Sequence, residues 1–164
     1  MRNRDEIDRL YRHHGPALVL FAASIAGSRS SAQDAVHKVF VKLLEKRVKN
    51  RVTDAKAYLF ASVRNTVLNE LRRNERIQDL DPDDRWFDPP EHDYAAERQL
   101  QIALRALPVD QRQIVVMHIW GDLTFGEISE IVGISSNTVT SRYRYALNKL
   151  REHFSIPEGS HVRS

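Results

Sequence analysis

A chain of 164 residues has room for one ordinary domain or two small ones, and its lack of cysteine excludes a disulfide scaffold, a thiolate zinc site and thiol chemistry. The formal charge of +3 hides an uneven spread: residues 1–76 carry 16 Lys or Arg against 8 Asp or Glu, whereas residues 77–97 carry one Arg against eight acids. A basic N-terminal part suits a polyanionic partner. No 18-residue apolar run and no signal-peptide core occur, so no membrane insertion is expected and the default compartment is cytoplasmic. Glycine and proline are scarce and apolar residues recur at helical spacing, which predicts an all-α fold.

The first helix is expected from about Asp5 to Ala26, with Ile7, Leu10, Tyr11, Leu18, Phe21, Ala22 and Ile25 on its apolar side. Gly15-Pro16 is expected to break or kink it, because proline lacks the amide for the i−4 bond. Gly27-Ser28 ends it. Ser31 with Asp34 then reads as a capping box for a helix over about Ala32 to Lys46, which buries Ala35, Val36, Val39, Phe40, Leu43 and Leu44. A third helix begins near Asp54, whose carboxylate can cap it, and carries Leu59, Val63, Val67 and Leu71 at i+4 steps towards Glu75.

The stretch QDLDPDDRWFDPPEHD, residues 78–93, has three prolines, many acids and no helical period, and reads as a linker. It is either solvated, with two stray aromatics, or able to cover a basic face while the protein is idle. A second helical unit begins near Tyr94, where Leu100, Ala103, Leu104 and Leu107 form one face. Pro108 opens the next helix, Ile114, Val115, His118 and Ile119 line its core side, and Gly121 ends it. His118 is expected to pack rather than ligate, since no metal-spaced partners accompany it. The organisation is therefore a helical domain over 1–77, an acidic linker over 78–93, a second helical domain over 94–155 and a flexible tail over 156–164.

Residues 124–151 carry the strongest local signal. Thr124 and Glu127 form a capping box, Phe125, Ile128, Ile131 and Val132 face inward, and Gly133 permits a tight turn plugged by Ile134. Ser135 or Ser136 caps a longer helix whose buried stripe is Val139, Tyr143, Ala146, Leu147 and Leu150. A short helix, a glycine turn and a polar-headed second helix is a helix-turn-helix pattern suited to the major groove. Ser136, Asn137, Thr138, Ser141, Arg142 and Tyr145 are the candidate duplex-contacting residues. Asn137 can pair with adenine, and Arg142 can reach a guanine edge or a phosphate. An ordinary helical hairpin with a polar face has the same local pattern.

Three stretches extend this reading. Residues 11–45 (YRHHGPALVLFAASIAGSRSSAQDAVHKVFVKLLE), 54–77 (DAKAYLFASVRNTVLNELRRNERI) and 103–152 (from ALRALPVDQRQ to NKLRE) resemble, in order, three blocks of the bacterial RNA polymerase sigma factors. The resemblance is to the sigma-70 superfamily, extracytoplasmic-function group, and runs from about Leu10 to Phe154. It implies a transcription initiation factor that binds core RNA polymerase and promoter DNA, with a possible anti-sigma factor or other regulatory protein as partner.

The resemblance places Asp34, His37, Lys38 and Val41 against the polymerase clamp. It places Lys49, Asn50, Arg51, Arg64, Asn65, Asn69, Arg72 and Arg73 at the minus-ten strand, and the carboxy-terminal helix at the minus-thirty-five element. The chain departs from the family at Gln33, His37 and Lys38, where acids or glutamine are usual, and at Asn69, where aspartate is common. Asn137, Thr140, Tyr143 and Tyr145 replace residues that are more often glycine, lysine, leucine and arginine. The lost charge at Thr140 and Tyr145 predicts weaker phosphate attraction or an altered target.

Two alternatives stand beside this. One is a helix-turn-helix regulator that no longer docks productively on polymerase, for which Lys38 is the main support. The other is an enzyme, but the polar pairs His13 with His14, and His37 with Asp34 or Glu45, supply no nucleophile, metal set or phosphate loop. The chain is read as no enzyme, and no cofactor is expected.

Overall fold

The computed structural model describes residues 4–46, 54–74, 84–87 and 94–154. Seven helices occur among them: α1 (Arg4–Ala26), α2 (Arg29–Lys46), α3 (Ala55–Asn74), α4 (Tyr94–Arg105), α5 (Val109–Ile119), α6 (Phe125–Val132) and α7 (Ser136–Phe154). Helices α1–α3 pack on one another as one cluster and α4–α7 as a second. The clusters meet along a seam where α1 lies on α5 and α3 on α6.

Helix α1 runs unbroken through Pro16, so of the break or kink expected there the break is corrected. An interior proline costs about 3 kcal/mol. Burial of Leu18, Leu20, Phe21 and Ile25 offsets it, at roughly 1.5–3 kcal/mol for each large side chain. Gly27 ends the helix at φ 81°, its amide donating to the Ala23 carbonyl at 2.7 Å. The capping box expected at Ser31 and Asp34 is also corrected. Helix α2 starts one turn earlier, because Ser28 Oγ accepts the Ser31 amide at 3.2 Å and Ser31 is already helical.

Elsewhere local chemistry sets the ends as expected. Asp54 Oδ1 accepts the Ala57 amide at 3.2 Å and opens α3, whose Leu59, Val63 and Val67 are buried. Thr124 and Glu127 close their capping box, with the Glu127 amide 3.0 Å from Thr124 Oγ1 and the Thr124 amide 2.9 Å from Glu127 Oε1. Pro108 precedes α5 in extended conformation.

The buried side chains of both clusters join into a single core, and Trp86 belongs to it with 1% of its surface exposed. A wholly solvated linker is therefore corrected at Asp84–Phe87. The indole has found an apolar site at the seam, where its area is worth more than in water. No described helix is long and apolar enough to cross a membrane.

Candidate promoter and polymerase interfaces

On α2, Asp34, His37 and Lys38 are exposed and Val41 partly so. Their 3–1–3 spacing gathers them on one face. Lys38 Nζ pairs with Glu70 on α3, so its charge is met within the same cluster. Beside this face, Ile7 and Tyr11 of α1 and Phe40, Val41 and Leu44 of α2 line a groove, with the Tyr11 and Phe40 rings edge to face at 5.1 Å. Tyr11 and Leu44 leave 48% and 46% of their surface in solvent.

On α3, Asn65, Asn69, Arg72 and Arg73 are exposed. Asn69 Oδ1 accepts from Arg72 at 3.1 Å, so the pair shares its polar groups along one edge of the helix. Arg64 is directed elsewhere. Its Nε donates to Gln113 Oε1 at 2.8 Å and its Nη1 to the Ile131 carbonyl at 3.4 Å, both across the seam. Burial lowers the Arg64 pKa, although a guanidinium stays charged throughout the ordinary pH range. Lys49, Asn50 and Arg51 lie outside the described residues, as do residues 1–3, 75–83, 88–93 and 155–164.

The α6–α7 corner is built around Gly133 at φ 78°, ψ 30°, a left-handed conformation that glycine adopts without steric cost. Ser129 accepts the Gly133 amide on its carbonyl at 2.8 Å and donates its hydroxyl to the Ile134 carbonyl at 2.5 Å. Ser135, the residue before α7, accepts the Thr138 amide at 3.1 Å, and the two hydroxyls lie 2.9 Å apart. Thr138 is thus half-buried in the cap, while Ser136, Asn137 and Ser141 are exposed and Tyr145 leaves 64% of its surface in solvent. Arg142 Nη1 lies 3.5 Å from Asp110 Oδ2 on α5.

Behind this surface Val139 and Ala146 are fully buried and Leu150 nearly so. His118, Phe125 and Tyr143 form an aromatic triangle with ring separations of 4.4, 4.8 and 5.2 Å. His118 Nδ1 is 2.9 Å from the Leu123 carbonyl, which can only accept, so the proton is on Nδ1. His118 is a packing residue. Burial raises the Tyr143 hydroxyl pKa. Among the described residues no group of three His, Asp or Glu could hold a metal ion.

The seam residues escaped sequence reasoning. Arg112 donates to the carbonyls of Leu104, Arg105 and Leu107 at 2.9, 3.2 and 2.8 Å, and to that of Ser24 at 2.5 Å. One cation thereby binds carbonyls at and just beyond the C-terminal end of α4 and another in the last turn of α1, where the helix dipoles favour it. Desolvation, then Arg105, lowers the Arg112 pKa. Gly121 admits no side chain: a Cβ there would lie 2.6 Å from the Met117 carbonyl oxygen and 2.9 Å from Phe60 Cζ across the seam.

Two family models match the chain in order, Sigma-70 region 2 over residues 10–77 and Sigma-70, region 4 over residues 97–150. The ECF RNA polymerase sigma factor RpoE of Cereibacter sphaeroides is 28% identical over 166 residues, covering 93% of this chain and 90% of the relative. RNA polymerase sigma factor SigV of Bacillus subtilis is also 28% identical, over 79% of this chain and 80% of its own. Among solved structures, the sigma factor RpoE in complex with the anti-sigma factor NepR from Bartonella quintana has a TM-score of 0.77 at 21% identity, covering 94% of this chain and 99% of that chain. CnrH in complex with the cytosolic domain of CnrY has a TM-score of 0.66 at 20% identity, covering 93% and 89%. The two solved structures share the fold.

Proposed function

This chain belongs to the sigma-70 family of RNA polymerase sigma factors, extracytoplasmic-function group, and binds core RNA polymerase to direct promoter recognition; we propose how its surfaces divide that work. The observation that carries the reading is the order of the two family regions, one over α1–α3 and the other over α4–α7.

The first cluster, from about residue 1 to 77, docks on the polymerase clamp through Asp34, His37, Lys38 and Val41. A groove with exposed Tyr11 and Leu44 beside that face adds apolar area to the contact. Its α3 edge, with Asn65, Asn69, Arg72 and Arg73, meets the minus-ten strand, joined by Arg64 and by Lys49, Asn50 and Arg51 of the basic segment before α3. Positive charge draws the strand and amide side chains offer hydrogen bonds to bases.

The second cluster, about 94–155, reads the minus-thirty-five element. Helices α6 and α7 act as a helix-turn-helix, with Asn137, Ser141 and Arg142 towards the duplex and Ser136, Thr138 and Tyr145 beside them. Neither cluster needs high affinity alone, because tethering through polymerase raises the effective concentration of each. The sigma factor RpoE of Bartonella quintana is solved in complex with the anti-sigma factor NepR, and a protein of that kind is the proposed regulatory partner.

Transcription in vitro with purified core polymerase tests this directly. Addition of the chain yields promoter-specific transcripts and a stable complex with core. Absence of both would favour a regulator that binds DNA without polymerase.

A further inference from the structure

We infer that Asp84–Phe87, the described part of the segment joining the clusters, is an intramolecular clasp that holds the second cluster closed over Arg64. The clasp itself stands on contacts within the chain. Its consequence for promoter capture rests on the reading of Arg64 as a strand-binding residue.

These four residues touch both clusters at once. On the first, the Arg29 amide at the start of α2 donates to Asp84 Oδ2 at 2.7 Å, and its guanidinium donates to the Phe87 carbonyl at 2.5 Å and the Arg85 carbonyl at 3.4 Å. On the second, Gln101 accepts the Trp86 amide at 2.9 Å and donates to the Asp84 carbonyl at 2.6 Å, so one buried side chain grips the strand from both sides. Arg85 pairs with Glu97 at 2.8 Å. Phe87 meets Trp120 with ring centroids 5.8 Å apart.

Trp86 is the bolt. Its indole is buried under the guanidinium of Arg105 at 4.7 Å, and that of Arg112 lies 5.5 Å from the ring centroid. Arg112 is the cation that also binds the Ser24 carbonyl of α1, so the indole packs on the residue that ties the clusters together. Behind it α3 faces α5 and α6, and both hydrogen bonds from Arg64 run across that seam. Lys56 adds a third tie, donating to the Asp122 carbonyl at 2.7 Å.

Among the described residues the buried indole Nε1–H has no hydrogen-bond partner. Opening costs the indole its packing and its cation–π contacts, so the closed state is the favoured one of the two.

Distance measurement tests the clasp on the full chain. No cysteine is present, so Gln33→Cys on α2 and Asn148→Cys on α7, both exposed, give a unique spin-label pair. Pulsed dipolar spectroscopy gives one short, narrow distribution in the parent. In Trp86→Ala, and in Asp84→Ala combined with Arg29→Gln, it shifts to longer, broader distances while helical circular dichroism persists. If Trp86→Ala loses its helices, the polar double variant decides alone, since it removes no core side chain. A parent-like distribution in the folded variants overturns the clasp. With Arg64 as a strand-binding residue, the opened variants bind a single-stranded minus-ten oligonucleotide about tenfold more tightly, the gain from raising an open fraction of roughly a tenth towards unity. Longer distances with unchanged oligonucleotide affinity support the clasp and count against that role for Arg64.

Discussion

Asp110 on α5 holds Arg142 on α7 at 3.5 Å, so a proposed duplex-contacting cation starts from an ion pair inside its own cluster. Both side chains are substantially exposed, and the pair is of the kind usually worth about 0.2–1 kcal/mol. Any phosphate that Arg142 meets must compete with that carboxylate. Asp110→Asn frees the guanidinium and removes a negative charge from the approach to DNA. Affinity for duplexes of any sequence should rise by up to about fivefold at low salt and converge with the parent as salt screens the charges. Fluorescence anisotropy at several salt concentrations measures this, and an unchanged or weakened affinity rules out competition by Asp110.

Lys38 and Asp34 on α2 make a second, contrasting pair of tests. Lys38 is paired with Glu70, so Lys38→Glu sets two carboxylates side by side. On stability the loss should be of the order of 1 kcal/mol or less because the site is exposed, read as a lower urea midpoint, and on the proposed clamp face the same reversal should also change core affinity. Asp34 is exposed, and on the proposed clamp face Asp34→Lys should leave the urea midpoint alone while weakening core binding by about tenfold or more. Equal core affinity in Asp34→Lys would remove that residue from the interface.

His14 gives the fold a pH dependence of known sign. Burial, then His13 and Lys56, lower its pKa below the ordinary 6.5, with Asp54 acting in the opposite direction. The unfolded chain therefore takes up the proton first on acidification. Its contribution to stability is complete above about pH 6.5 and is lost as the pH falls through that value towards the folded pKa. His14→Gln should flatten this part of the stability profile. Urea midpoints at a series of pH values measure the slope, and an identical slope in the variant assigns the dependence to other groups.

Helix identity was legible in the sequence wherever a period or a cap is local. Leu59, Val63 and Val67 recur at i+4 and are buried, and Thr124 with Glu127 forms the box that its spacing predicts. The errors were local competitions. Ser28 outbid Ser31 for the start of α2, and tertiary burial kept α1 continuous through Pro16. The seam was illegible for a different reason. Arg112 meets the Ser24 carbonyl across 88 residues, Arg64 meets Gln113 across 49, and neither contact leaves a periodic trace. Gly121 was readable as a helix end, but its close approach to Phe60 was not. A tryptophan in an acidic, proline-rich segment was the one available hint of the clasp.

The most discriminating prediction separates base reading from phosphate attraction on α7. Asn137 is exposed in the first helical turn, where a short amide can reach a base edge, and its bidentate pairing prefers adenine. Arg142 lies five positions on, about 7.5 Å along the axis, where a long side chain can span to the backbone as the helix leaves the groove. Val139 and Ala146 are buried on the other side and are poor test positions, because truncating them tests the core. Thr138 is equally ambiguous, since its hydroxyl and amide both engage Ser135. Asn137→Ala should cost roughly 1–3 kcal/mol of discrimination at one base pair and leave non-specific binding nearly unchanged. Arg142→Ala should weaken binding to every duplex and lower the salt slope by about one unit. Titrations on matched and mismatched minus-thirty-five duplexes over a range of salt separate the two. A relaxed preference at one base pair in Arg142→Ala, with the salt slope intact, would exchange the roles and make Arg142 the base reader.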